Sequence, residues 1–503
     1  MKKMLVISCL LTLTGFFAQA QSKQHIIDSF VQALVKHQDF SGNVLVIDKG
    51  NIIYEHSFGY ADLADHSPNR PTITFPIASI SKLFTATAIL QLHEQGRLKI
   101  TDAVAKYLPQ FPYADVTIRH LLSHTSGLPP YNAFFDKYHE KDPQRVFTNR
   151  DFLPGVVANK QPLVYKPGDN GNYDNINFLV LALIIEKLSG LSYESYIQKN
   201  ILTPAGMTET VFFPLPKQFN TVAIQNFSFP HVYLHLYDSL PVKSNSIAYV
   251  KAYWHSYGFN GFGDYISTMR DLWKFDQALY RNVLLKQQTL SAAFVPVKLN
   301  NGENNRDEFG LGWEIEKDSS MGKLVYHSGA AMGLSANIMR NITTQQTVIV
   351  FDNMHFNAHE TAGKIMMLLN NRHVDMPRRS IARMYGIALR NEGAVAAKAL
   401  LENLQKDTIN YYLSEDEMNS LGYDFMGNSN PYQLPEQHLY KQAIETLKLN
   451  VSLFPDSWNA YDSYGEALLA DGQKEEAIKM YQRSIELNPK NDNAQKVLRQ
   501  LLQ

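Results

Sequence analysis

Phe75-Pro76-Ile77-Ala78-Ser79-Ile80-Ser81-Lys82-Leu83-Phe84-Thr85-Ala86 is the stretch on which the reading of the chain turns. A proline-containing loop runs into Ser79. Apolar residues then recur at helical spacing, at Leu83, Ala86, Ile89 and Leu90, until Gly96 offers a left-handed cap. Ser79 is therefore expected in a first helical turn, where free backbone N–H groups and the positive end of the helix dipole favour a developing anion. Lys82, three residues on, shares its helical face. A serine hydroxyl is a weak nucleophile until a base takes its proton, and an amine desolvated by burial is such a base. Ser-x-x-Lys also arises wherever a capped helix carries a surface lysine, so the pair needs support from the rest of the chain.

That support begins at Thr117-Ile118-Arg119-His120-Leu121-Leu122-Ser123-His124-Thr125-Ser126-Gly127-Leu128-Pro129. In this order the two stretches resemble the serine β-lactamase and penicillin-binding-protein superfamily. Within it they resemble the class C-like serine hydrolases, which include D-alanyl-D-alanine carboxypeptidases, D-aminopeptidases and esterases. The resemblance covers about residues 40–370 and implies an α+β fold: a β-lactamase-like antiparallel sheet flanked by helices, with an inserted helical subdomain. It also implies a second motif, Tyr-x-Asn, which Tyr173-Asp174-Asn175 supplies 94 residues after Ser79 and just before an apolar helix over 177–188. Next to a lysine ammonium the Tyr173 phenol is expected to ionise more easily and relay protons to the leaving group. Asn175 is expected to orient substrate and hold the lysine amine. The third motif is His327-Ser328-Gly329-Ala330, closing a strand that begins at Lys323 and follows another over 309–316. By resemblance His327, Ser328 and Gly329 contact substrate, and the N–H groups of Ala330 and Ser79 form the oxyanion hole. β-Lactamases more often begin this motif with lysine. An imidazole holds a carboxylate less strongly at pH 7, which argues against β-lactam turnover.

Other segments read as frame. Residues 24–37 form an amphipathic helix, 42–47 and 52–60 a hairpin about Asp48-Lys49-Gly50-Asn51, 347–352 the last strand and 359–370 a closing helix. Ile201 to Thr210 resembles the family turn that closes the helical subdomain. The aromatics Phe212, Phe213, Phe227, Phe229, Tyr233, Tyr237, Tyr253, Trp254 and Tyr257 either wall the cleft or fill a core. Gly261-Phe262-Gly263-Asp264 and the helix after it are read as scaffold. His120 and His124, and His355 and His359, have i, i+4 spacing but lack the further ligands of a zinc site. No metal and no cofactor are expected.

Lys2-Lys3, the apolar run to Phe17 and Ala18-Gln19-Ala20 make residues 1–20 a secretory signal, with a secreted or periplasmic destination. The single cysteine, Cys9, lies inside it, which leaves the mature chain without thiol chemistry or disulfides. The chain has 503 residues, 45% of them hydrophobic, and a net charge of -1, so it has the material for a large core and no basic footprint for nucleic acid. No later stretch resembles a transmembrane helix. The hydrolase domain is expected over 21–370, a partly helical linker over 371–435, and tetratricopeptide-like repeats over 436–503. The repeat reading rests on a period of 34 that relates Ala443-Ile444 to Ala477-Ile478 and Pro455 to Pro489. Those repeats either bind a peptide or protein partner or brace the enzyme. The whole reads as a secreted serine hydrolase forming an acyl-enzyme on a D-amino-acid peptide, ester or β-lactam carbonyl. The alternative is an inactive or slowly deacylating sensor or scaffold.

Overall fold

The computed structural model describes residues 23–503 apart from 143–144, 215, 218–225, 252–256, 318–319, 356, 429–433 and 436. The signal segment and the aromatics Tyr253 and Trp254 lie outside the described residues. The chain divides into two compact units, one running to Val232 and again over Lys243–Asp375, the other made of Tyr233–Val242 and Met376–Gln503.

In the first unit the strands β1 (Gly42–Asp48), β2 (Asn51–Phe58), β3 (Glu314–Ile315), β4 (Leu324–Ala331), β5 (Leu334–Asn341) and β6 (Gln346–Asp352) form one antiparallel sheet in the order β3-β4-β5-β6-β1-β2. The first and last strands of the sequence are thus central neighbours, Val44 facing Val350 and Val46 facing Val348. Every residue of β5 and β6 is buried, because both faces of the sheet are covered. On one face α1 (residues 23–36) lays Ile27, Phe30, Val31 and Leu34 against Val44, Val46, Val348 and Val350. There it meets Ala362, Ile365 and Met366 of a closing helix, Ala358–Leu369. Alternation sends Leu45, Ile338 and Ile349 to the opposite face.

The helix α2 (Ser81–Glu94) is buried at all of its first ten positions, so its sequence shows no polar stripe. Further helices used below are α3 (Ile118–Leu122), α4 (Ile176–Ser189), α5 (Met269–Tyr280) and, closing the sheet, α6 (Ala358–Leu369). The strand expected over 309–316 joins the sheet at Glu314–Ile315, and Phe309 makes an isolated antiparallel bridge back to Glu314. Gly312, at φ +85, bends the chain away from an extended path. No single described helix is long and apolar enough to cross a membrane.

The second unit is helical: α7 (Ile381–Asn391), α8 (Ala394–Leu404), α9 (Glu415–Met426), α10 (Tyr440–Leu453), α11 (Trp458–Ala470), α12 (Lys474–Leu487) and α13 (Asp492–Leu501). The stretch expected as a partly helical linker therefore supplies three helices whose Leu389, Ala397, Leu421 and Phe425 share a core with Ala443 and Leu447. Helices approach closely where one side chain is missing. A methyl on Gly465 would sit 3.2 Å from the Tyr481 ring. Residues 233–242 belong here too, with Tyr237 stacked on Phe425 at 4.5 Å.

Candidate active site

The nucleophile loop is fixed before the helix begins. Phe75–Pro76 pairs antiparallel with Ser267–Ile266, and Ile77 N–H donates to the Tyr265 carbonyl at 3.1 Å. Ala78 then adopts φ +42, a left-handed conformation that costs a non-glycine residue about 1–3 kcal/mol. Ser79 consequently lies in a single 3-10 turn, Ala78–Ile80, and α-helical winding starts at Ser81 rather than at Ser79.

Lys82 has no exposed surface. Its amine donates to Ser79 Oγ at 2.9 Å, to Asn175 Oδ1 at 2.7 Å and to the Phe262 carbonyl at 3.2 Å. Burial brings its pKa down to about 7, against the opposing pull of Asp264, Asp174 and Glu314. Asp264 is itself pushed upward by burial while it accepts from the Gly261 N–H. The turn read from sequence as scaffold thus reaches the site through the Phe262 carbonyl. Thr85 Oγ1, donating to the Gly261 carbonyl at 2.7 Å, ties that turn to α2.

Tyr173 keeps 38% of its surface exposed, but its hydroxyl lies in the buried cluster, hydrogen-bonded to Ser79, and its ring lies 4.8 Å from the Lys82 amine. Desolvation raises the phenol pKa, with the Glu314 and Asp174 carboxylates pushing the same way. The sequence reading expected easier ionisation, and the pocket does the opposite. An amine that is half neutral near pH 7 supplies little positive charge to stabilise a phenolate.

On β4, Gly329 passes the Ser79 turn so closely that a methyl there would sit 2.1 Å from the Ile77 carbonyl oxygen and 3.2 Å from the Ser79 nitrogen. Ala330 follows as an exposed residue of the same strand. His327 is 1% exposed, and its Nδ1 lies 2.7 Å from the Ser328 carbonyl against 3.9 Å from Glu314 Oε1. A carbonyl only accepts, so the ring proton is on Nδ1 and Nε2 carries a lone pair. Nε2 is buried without a hydrogen-bond partner among the described residues. Burial, with Lys82 nearby, takes the imidazole pKa down to about 3, so the ring is neutral. Ser328 faces the other side of the strand, its hydroxyl accepting from Asn337 Nδ2 at 3.0 Å. The structure does not bring that hydroxyl to the Ser79 cluster.

Beside Tyr173 opens a cavity of about 340 Å³ lined by Asp307, Glu308, Glu314 and Glu316 together with Lys317. Burial pushes Glu314 up to about 7. Sequence reasoning missed Glu314, Asp264 and the Phe262 carbonyl; a lone acidic residue in a short strand and a backbone oxygen carry no sequence signal.

The tempting histidine pairs part company. His120 Nδ1 accepts the Thr117 N–H at 3.2 Å and caps α3, whereas His124 turns to the Tyr173 loop. His359 Nδ1 lies 3.1 Å from Asn337 Nδ2, and His355 sits beside Asp352. Phe213, Phe227 and Phe229 pack with Ile266.

Comparison with known proteins gives the family. The family model described as Beta-lactamase matches residues 27–386. Penicillin-binding protein 4* of Bacillus subtilis is 36% identical over 339 residues, covering 66% of this chain and 72% of that one. Among solved structures, a penicillin binding protein from Bacillus halodurans superposes with a TM-score of 0.57 at 26% identity, over 67% of this chain and 99% of that one. The D-amino acid amidase of Ochrobactrum anthropi shares the fold at 21% identity, TM-score 0.54, over 68% and 98% of the two chains.

Proposed function

The chain belongs to the β-lactamase family, and from that premise we propose that it is a serine hydrolase working through an acyl-enzyme at Ser79 on an ester or a D-amino-acid amide. The observation that carries this reading is the buried Lys82 amine, 2.9 Å from Ser79 Oγ and brought down to about 7. Ser79 Oγ attacks the carbonyl carbon and its proton passes to Lys82 Nζ, the base favoured here because the Tyr173 pKa is raised. The N–H groups of Ser79 and Ala330 receive the oxyanion. As the tetrahedral intermediate collapses, the bond to the leaving group breaks. That group takes the Tyr173 hydroxyl proton, which the Lys82 ammonium replaces. Water then attacks the acyl-enzyme by the same route in reverse and frees Ser79. Asn175 holds the amine throughout, at 2.7 Å.

Substrate choice follows from charge. The third motif offers a neutral ring with a lone pair where a carboxylate-binding site offers a cation, and the adjoining cavity is lined by four acidic side chains, Glu314 among them raised to about 7, against the single cation Lys317. A penicillin carboxylate, or the C-terminal carboxylate of a peptide, is poorly met there, so ester and amide carbonyls are preferred. Delivery outside the cytoplasm by residues 1–20, and partner binding by the helices over 436–503, belong to the same reading.

The test is the intact mass of the protein after brief exposure to a fluorophosphonate and, separately, to a penicillin, for wild type and Ser79→Ala. A stoichiometric phosphonate adduct that vanishes in the variant is expected. A lasting penicillin adduct would move the reading to a slowly deacylating penicillin-binding sensor. No adduct on folded protein would overturn the acyl-enzyme.

A further inference from the structure

His124 is buried in the loop after α3, 1% exposed, and carries a left-handed φ of +56. It grips the residues on both sides of Tyr173. Asn172 N–H donates to the His124 carbonyl at 2.9 Å, and Asp174 N–H donates to its Nδ1 at 3.2 Å. Between those two bonds the imidazole lies against the phenol, ring centres 4.4 Å apart and planes 32° apart. Phe178 at 5.2 Å and Phe309 at 4.8 Å hold the ring on its other sides, and Asn177 Nδ2 reaches the same Nδ1 at 3.2 Å. Ser126 Oγ in turn donates to Asn177 Oδ1 at 2.6 Å, so the acceptor that orients Tyr173 is itself oriented.

We propose that His124 is the positioning residue for Tyr173, fixing from both sides the backbone that carries the phenol and so setting its hydroxyl at Ser79. The proposal rests on the reading of Tyr173 as the proton donor to the leaving group. Because Nδ1 accepts a backbone N–H, the ring proton sits on Nε2 and the imidazole is neutral. Burial disfavours its charged form, and Lys82 and His327 add to that. His124 touches none of the reacting atoms. A phenol released from this grip swings on a glycine-rich loop, and misplacing a catalytic group by about 1 Å costs on the order of 10²-fold.

A leaving-group comparison separates this role from simple loss of fold. p-Nitrophenolate departs without a proton, whereas an alkoxide needs one, so in the acylation half, which kcat/KM reports, only the alkyl ester depends on Tyr173 as proton donor. For His124→Leu, which keeps bulk and removes the acceptor, we expect kcat/KM on an alkyl ester to fall about 10²-fold more than kcat/KM on the matching p-nitrophenyl ester. His124→Asn, whose amide oxygen accepts in place of Nδ1 and which tolerates positive φ, is expected to restore most of the ratio. The ratio is independent of the folded fraction, and His124→Phe, which also lacks the acceptor, substitutes for His124→Leu should the latter not fold. Equal losses on both esters, or no recovery in His124→Asn, would overturn the proposal while the hydrolase reading stands. A wild type that neither turns over either ester nor takes a phosphonate label overturns the hydrolase reading, and this proposal with it.

Discussion

Gly329→Ala tests the oxyanion hole through backbone alone. The added methyl would lie 2.1 Å from the Ile77 carbonyl oxygen. An ordinary carbon–oxygen approach is about 3.3 Å, so strand β4 and the Ser79 turn must part by about 1.2 Å. Neither side yields easily. Ile77 has no exposed surface and its N–H is bonded to Tyr265, while β4 is held in register along β5 from Leu324 to Ala331. Parting carries the Ala330 N–H away from the Ser79 N–H, and the two donors no longer converge on one oxygen. Loss of one such donor removes about 2.7–4 kcal/mol of transition-state stabilisation, roughly 10²–10³ in kcat. Overpacking adds about 1–3 kcal/mol of lost stability, within reach of a folded protein. The assay is steady-state hydrolysis of a p-nitrophenyl ester alongside thermal melting. A folded Gly329→Ala protein with kcat within about threefold of wild type would refute the assignment of β4 as the second wall of the oxyanion hole.

Three further outcomes are expected. The rate of Ser79 labelling by a fluorophosphonate should rise with pH through about 7, since burial lowers the Lys82 pKa and the neutral amine is the base; a flat profile between pH 5 and 9 would remove Lys82 from that role. Asn175→Asp places a carboxylate where Oδ1 now sits, 2.7 Å from the amine, which favours the ammonium. The rising limb should move alkaline by about one to three pH units, and an unmoved limb would contradict the pairing. Asp276→Ala leaves the Arg340 guanidinium, now 2.5 Å from that carboxylate and 1% exposed, buried without its counter-charge. Urea denaturation should report a loss of about 3–5 kcal/mol, and a loss below about 1 would mean that the cation–π contacts with Tyr280 and Trp313 suffice.

The elements legible in the sequence are those whose local pattern and tertiary role coincide. The hairpin 42–58, the apolar helix after Asn175 and the last strand carry periodicities that packing leaves untouched. The Ser79–Lys82 and Tyr173–Asn175 pairs were readable because each joins nearby residues of fitting chemistry, and the resemblance supplied their order. What the sequence hid is electrostatic. Whether Lys82 is an ammonium, Tyr173 an easier acid or His327 a cation depends on burial, and burial at these sites comes from Phe262, Phe178, Phe309 and Glu314, all distant in sequence. The ionisation expected of Tyr173 therefore came out reversed. The scaffold reading of Gly261–Asp264 missed a backbone carbonyl for the same reason: no side-chain pattern announces it.

The excursion of residues 233–242 into the helical unit has a consequence for biosynthesis. Leu236 N–H donates to Asp424 Oδ2 across 188 positions of sequence, and His235 pairs with the same carboxylate. At synthesis rates of about 5–20 residues per second, roughly 10–40 s separate the appearance of this segment from that of its partners. The hydrolase unit must complete its sheet, whose last strand closes on β1, while Tyr237 still waits for the Phe425 ring that will cover it. A chain cut after Asp375 never ends that wait, so the C-terminal helices are no detachable tail: an excised catalytic fragment would present an apolar loop to every other copy in solution.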